Sequence, residues 1–117
     1  MACHVEDARA VLTHRIRELN DRHRSEMPHG GVLLTRAVAN FDNSLVLEII
    51  CAIRAFDAFT PGNDPWGEHD FGQVTVTAEQ FFWRIDAYDI NLEFGSPDPT
   101  DEAVTRRILT IMTAADV

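Results

Sequence analysis

The sequence predicts an α+β domain in which a small antiparallel β-sheet, built as a meander, packs against two or three helices. Two observations carry this prediction. Apolar residues recur every three or four positions in the first half of the chain, and they alternate with polar residues between positions 71 and 94. The first spacing is that of a helix with one buried face, and the second is that of a half-buried strand. A chain of 117 residues is long enough for one core, so residues 1–117 are expected to form a single domain.

Helices are expected near residues 5–22 and 43–56, with a short strand at 32–35 between them. Polar residues 42–44 are typical of a helix N-terminus. Cys51 lies within the apolar pattern of the second helix and is expected in the core. The arginines of the first helix are interpreted as a solvated face. The apolar stripes of the two helices consist of Val5, Ala8, Leu12, Ile16 and Leu19, and of Val46, Ile49, Ile50, Ile53 and Phe56.

Three strands are expected after the middle of the chain. Residues 71–77 and 81–86 alternate between apolar and polar side chains, and they are close enough to form a hairpin that turns at Ala78 and Glu79. The alternation resumes at Ile90, Leu92 and Phe94, which predicts a third strand of the meander.

The last element, residues 100–114, fits either a helix or a strand. Asp98 followed by Pro99 resembles a helix N-cap and first helical residue, and this favours the helix. The run from Ile108 to Ile111 is nevertheless β-prone, so the strand stays open as the alternative.

The charge of the chain is negative and unevenly placed. The net charge is -9, and residues 37–105 hold two arginines against thirteen acidic residues, a balance of -11. Phosphate contacts need cations, so direct binding to nucleic acid is not expected. A basic protein surface is the natural partner, and the plain alternative is a solvated acidic surface. The acidic residues expected to bind such a partner are Asp86, Asp89, Glu93, Asp98, Asp101 and Glu102.

A membrane-bound or secreted protein is not expected, and the sequence indicates a cytoplasmic one. There is no long apolar run, and the first ten residues are polar and carry Glu6 and Asp7. The two cysteines, Cys3 and Cys51, do not suggest a disulfide framework.

The loop at residues 60–72 is the candidate site. Its prolines, glycines and Asn63 predict a rigid connector, in which His69 is hydrogen-bonded. Neither a metal nor another cofactor is expected, because the spacing of the polar residues fits no zinc or calcium pattern. If a metal binds, its ligands are expected to be Asp64, Glu68, His69 and Asp70; if the protein is an enzyme, its catalytic groups are expected to be Glu68, His69 and Asp70. Trp66, Trp83 and Tyr88 are interpreted as aromatic residues of the core or anchors of the loop.

Three stretches together resemble a family of small bacterial proteins called domain of unknown function 3768. They are residues 63–72, residues 82–89, and residues 95–99 running into 105–112, and the resemblance extends over residues 15–115. Ala87 stands where the family often has an aromatic residue. The resemblance implies a protein of a plasmid or other mobile element, and it carries no catalytic residues over.

Three functions are weighed. The first is a binding protein that inhibits or modulates a host defence complex acting on nucleic acid, such as a CRISPR effector or a restriction complex, and this reading is favoured over an enzyme. The second is a metal-assisted or acid/base hydrolase that uses residues 63–70 of the loop, with Asp86 and Asp89 nearby. The third is a regulatory or scaffolding protein of a plasmid operon.

Overall fold

The computed structural model describes residues 5–117, and within them the chain forms three α-helices, one 3-10 turn and a four-stranded sheet. The fold is therefore α+β, as predicted. Cys3 lies outside the described residues. The elements are α1 (Val5–Glu26), β1 (Val32–Leu34), α2 (Arg36–Ala39), α3 (Asn43–Arg54), β2 (Phe71–Val76), β3 (Glu79–Tyr88), the 3-10 turn (Glu102–Val104) and β4 (Arg106–Thr113).

The sheet is mixed rather than an antiparallel meander. Its strand order is β1-β4-β3-β2, and β4 pairs parallel with β1 and antiparallel with β3. In register, Leu109 of β4 faces Val32, and Ile111 faces Trp83. The parallel pair was not predicted because it joins residues far apart in the sequence.

The C-terminal segment is a strand, so the favoured helix at 100–114 is wrong. Ile108, Leu109, Ile111 and Met112 are all buried, because β4 lies between two other strands and carries apolar side chains on both faces. Only the 3-10 turn remains of the expected helix. Its N-cap is Asp101 rather than Asp98.

The predicted third strand at residues 90–94 is also wrong. Leu92 has a left-handed backbone (φ 59°), and its N–H donates to the carbonyl of Asp89 at 3.0 Å. The segment is thus a tight loop between β3 and the 3-10 turn. A single bridge between Tyr88 and Gly95 closes the loop.

The predicted hairpin of β2 and β3 is confirmed. Its two-residue turn is Thr77 and Ala78 rather than the predicted Ala78 and Glu79, because Glu79 already pairs with Val76; both turn residues have positive φ, at 49° and 66°. Gly72 faces Trp83 across the pair. A Cβ at Gly72 would lie 2.6 Å from the indole nitrogen of Trp83, so only glycine allows the close approach.

The two longer helices form where they are predicted, but α1 continues to Glu26. It ends there because Met27, which precedes Pro28, takes a left-handed backbone (φ 47°). A short helix, α2, follows β1, and Val38 of α2 is buried. Cys51 is exposed, contrary to the prediction, because α3 turns Ile49 and Ile53 into the core and Cys51 away from it.

Candidate functional site

The loop between α3 and β2 is held by its own polar groups, as its turn residues predict. The side chain of Asn63 accepts from the N–H of Thr60 at 2.7 Å and donates to the carbonyl of Ala58 at 2.9 Å. A second turn follows, in which the N–H of Gly67 donates to the carbonyl of Asp64 at 3.1 Å. The loop therefore satisfies much of its own backbone.

His69 is hydrogen-bonded, as predicted, and both ring nitrogens face carboxylates. Its Nδ1 lies 2.8 Å from Oδ1 of Asp21, and its Nε2 lies 3.5 Å from Oδ2 of Asp64. The ring stacks on Phe59, with the centroids 3.6 Å apart and the planes 4° from parallel. The imidazole therefore joins the loop to α1, and its nitrogens are occupied by groups of the protein.

A buried arginine completes this cluster. Arg24 donates from Nη1 to Oδ1 of Asp21 at 2.9 Å, and its guanidinium lies over the rings of Phe59 and Trp83 at 5.3 and 5.5 Å. The Nε of Arg24 has no hydrogen-bond partner within residues 5–117. Contacts to two aromatic faces stabilise the charge in the interior.

A second buried network joins three parts of the chain. Asn20 donates from its amide to the backbone carbonyl of Glu68 at 2.9 Å and accepts from Nε of Arg107 at 2.8 Å. Arg107 also donates to the carbonyl of Pro99 at 2.5 Å. The network therefore fixes α1, the loop and β4 relative to one another.

The predicted catalytic residues are divided between two clefts. Glu68 and Asp70 line a cleft of about 190 Å³, together with Asp86 and Arg107. His69 lines a different cleft, of about 360 Å³, with Trp66. The imidazole of His69 therefore does not share a cleft with the carboxyl groups of Glu68 and Asp70.

The two carboxyl groups of the smaller cleft have perturbed pKa values. Burial raises the pKa of Glu68 above its usual range, and the charges of Asp70 and Asp64 raise it further. Burial also raises the pKa of Asp70, with Asp64 and Asp86 adding to the effect. Both groups consequently hold protons to higher pH than an exposed carboxyl group does.

No metal centre is evident in the part of the chain that the structure describes. Asp64, Glu68, His69 and Asp70 were the predicted ligands. Neither these nor any other group of three or more His, Cys, Asp or Glu residues within 5–117 is arranged to hold a metal ion.

The predicted partner-binding acids lie from the end of β3 to the 3-10 turn. Most of them make hydrogen bonds or ion pairs with nearby residues. Asp86 pairs with Nε of Arg84 at 2.9 Å, and Asp89 accepts from the N–H of Glu93 at 3.0 Å. Asp98 accepts from the N–H and the hydroxyl of Thr100, and these bonds lower its pKa. Asp101 caps the 3-10 turn, and Glu102 forms an ion pair with Arg22.

Sequence reasoning missed the three buried polar residues Asn20, Arg24 and Arg107. Arginines on a helix are usually solvated, and the only signal against that reading was the position of Arg24 near the apolar stripe. Trp66 was also misjudged, because it is 80% exposed instead of packed. Trp83 is fully buried in the core, as predicted.

A family model described as "Protein of unknown function (DUF3768)" matches residues 34–116. The match covers most of the chain, so the protein belongs to this family, and the predicted resemblance is confirmed over that range. The match begins after α1. No curated protein and no solved structure matches the chain. No helix in the described part of the chain is long and apolar enough to cross a membrane.

Proposed function

We propose that this member of the DUF3768 family is a small acidic binding protein that docks on a basic protein surface. The proposed surface, called the acidic edge below, consists of the loop at residues 89–95 and the acidic residues Asp98, Asp101 and Glu102. Its proposed partner is a nucleic-acid-binding surface of a host defence complex, of the CRISPR or restriction type.

One observation carries the proposal: the loop exposes large apolar side chains among acids. Ile90 is 57% exposed, Leu92 43% and Phe94 71%. Asp89 and Glu93 alternate with them along the chain. An exposed apolar cluster with a charged rim is typical of a protein-binding surface.

The acidic edge is preformed, which lowers the entropy that binding would cost. The N–H of Asp89 donates to the carbonyl of Phe94 at 2.8 Å, and the N–H of Ser96 donates to the carbonyl of Ala87 at 2.9 Å. The hydroxyl groups of Ser96 and Thr105 lie 2.6 Å apart and tie the end of the loop to the start of β4. Phe94 is therefore presented on a closed loop as an anchor for a partner pocket.

Charge supports the choice of partner. The balance of -11 over residues 37–105 complements a surface that binds phosphate, because such a surface carries arginine and lysine. Because the family resemblance implies a mobile element, we propose that the basic surface belongs to a host defence complex. A scaffolding role within a plasmid operon would use the same edge with a different partner.

A capture experiment tests the proposal. Phe94→Ser removes the apolar anchor, and Glu93→Lys reverses a charge whose side chain has no hydrogen bond or ion pair within the described residues. Glu79→Lys is the matched control, since Glu79 is exposed but lies outside the acidic edge. Immobilised protein is incubated with a nuclease-treated lysate that contains CRISPR or restriction complexes.

Wild type and Glu79→Lys are expected to retain a basic complex, to release it as salt rises, and to suppress its binding to DNA. Phe94→Ser and Glu93→Lys are expected to weaken retention by about tenfold or more. Equal retention by all four proteins, or unchanged DNA binding by the captured complex, would contradict the proposal.

A second candidate is a hydrolase, and the raised pKa values of Glu68 and Asp70 in one cleft favour it. In that case a protonated carboxyl group would act as the general acid and an ionised one as the base. Loss of a hydrolytic activity in Glu68→Gln, with the acidic-edge variants unaffected, would favour this candidate over the binding protein.

A further inference from the structure

The loop presents one indole ring to solvent on a rigid support. Trp66 is 80% exposed and sits in the turn that the N–H of Gly67 closes onto Asp64. Pro65 fixes the backbone before it, and Gly67 supplies the left-handed conformation after it (φ 69°). The exposed indole therefore has a flat aromatic face available for stacking.

An arginine of α1 contacts the turn that carries this ring. Arg17 donates from Nε to the carbonyl of Gly67 at 2.6 Å. Its two terminal nitrogens have no hydrogen-bond partner or ion pair among the described residues. The guanidinium is therefore positioned next to the turn of Trp66, with donors left for a ligand.

Trp66 and Arg17 line the same open cleft, of about 360 Å³, together with His69 and Phe59. This volume falls within the range of small-molecule sites. Asp64 is the acidic residue of the cleft, but its side chain is only 7% exposed and faces His69. The cleft thus presents a flat aromatic face and one positive charge, although the protein as a whole is acidic.

We propose that this cleft binds a planar aromatic ring that carries an anionic group, the class to which nucleoside monophosphates belong. The ring stacks on the indole of Trp66, and the terminal nitrogens of Arg17 donate to the anion. Stacking on an exposed aromatic residue suits any base, and a guanidinium matches the geometry of a phosphate. The net charge of -9 repels long polyanions, so a mononucleotide is favoured over a nucleic acid strand.

The two tryptophans make the binding measurable. Trp66 is 80% exposed and Trp83 is fully buried, so a ligand in the cleft reaches only the first. Adenosine 5′-monophosphate is titrated into the protein in about 0.1 M salt, where charge interactions act over about 10 Å. The emission of tryptophan, excited beyond the absorption of the nucleotide, is expected to fall and saturate.

Variants distinguish the contribution of stacking on Trp66 from that of the anion contact of Arg17. Where Trp66, the fluorescent reporter, is replaced, calorimetry measures the binding. Trp66→Ala is expected to weaken binding at least about tenfold, and Trp66→Phe, which keeps a ring, less. Arg17→Gln is expected to weaken binding of the monophosphate several-fold while adenosine binds as before. Unchanged adenosine binding shows that the turn is intact without the bond to Gly67. Arg9→Gln, which removes an exposed charge of the same helix, is the matched control and is expected to bind like wild type.

The proposal is overturned if the emission falls linearly without saturation, or if Trp66→Ala or Arg17→Gln binds the monophosphate like wild type. It is equally overturned if ribose 5-phosphate, which lacks the aromatic ring, binds as tightly as the monophosphate.

Discussion

Replacing Asn20 by alanine is expected to destabilise the fold more than its small change in volume suggests. Asn20 is 4% exposed, and its amide links the carbonyl of Glu68 to Nε of Arg107. Alanine removes both hydrogen bonds at once, because one amide side chain makes them. The carbonyl of Glu68 and Nε of Arg107 are then left without that partner in a largely buried part of the fold.

The magnitude follows from the two groups that lose a partner, the carbonyl of Glu68 and Nε of Arg107; the guanidinium keeps its bond to the carbonyl of Pro99. A buried polar group without a partner costs about 1–3 kcal/mol, and a charged group more. The free energy of unfolding is therefore expected to fall by about 3 kcal/mol, out of the roughly 5–15 kcal/mol typical of a domain. For a chain of this size, that loss lowers the Tm by about 10 °C.

Urea unfolding, followed by the emission of the buried Trp83, measures this loss as a lower midpoint with an unchanged slope. Asn91→Ala is the matched control, because Asn91 is exposed, and its effect is expected within about 0.5 kcal/mol. The reasoning would be refuted if Asn20→Ala unfolded within about 0.5 kcal/mol of wild type, since the network would then contribute nothing beyond exposed contacts.

Three further outcomes are expected. Gly72→Ala places a Cβ 2.6 Å from the indole of its cross-strand partner and should cost about 1–3 kcal/mol in thermal unfolding, whereas Gly95→Ala, with open space around it, should not; equal Tm values would contradict this. Replacing Thr77 and Ala78 together by Asn and Gly should stabilise the fold by about 1–2 kcal/mol, because both positions have positive φ; an unchanged urea midpoint would count against the turn geometry. The pKa of Glu68 is raised in the fold, so its ionisation opposes folding as pH rises from 4.5 through that raised pKa; Glu68→Gln should be more stable than wild type at pH 7, and the difference should vanish towards pH 4.5. If the stability difference between Glu68→Gln and wild type grew on acidification, the pKa of Glu68 in the fold would be lowered rather than raised.

Local patterns were sufficient for the two longer helices and the hairpin, and they failed where pairing is distant. The β4 sequence has apolar residues on both faces, so its periodicity matches a helix as well as a buried strand. Its parallel partner, Val32–Leu34, lies far earlier in the chain, and nothing local indicates that pairing. The strand predicted from Ile90, Leu92 and Phe94 does not form, because a local pattern cannot show which strand occupies a neighbouring position in the sheet. These three residues alternate like a strand, but β4 already occupies the place beside β3.

The candidate site was predicted only where its contacts are local in the sequence, as in the sheet. Asn63 and Asp64 act on backbone a few residues away, so their turn could be predicted from the sequence. The burial of Arg24 and Arg107 depends on aromatic and carbonyl groups brought together by the fold. The exposure of Trp66 likewise depends on how the described elements, residues 5–117, pack around its turn, and composition does not encode that packing.

A single stretch of α1 supports both proposed surfaces, and this decides which variants can test them separately. Arg17 contacts Gly67 and Asn20 contacts Glu68, so this stretch holds the loop that carries Trp66. The same stretch reaches the acidic edge through the ion pair of Arg22 with Glu102. A change in α1 that lowers stability is therefore expected to disturb both surfaces together. Trp66 and Phe94 are largely exposed, so replacing either should weaken one binding activity about tenfold or more and leave the other activity and the Tm unchanged.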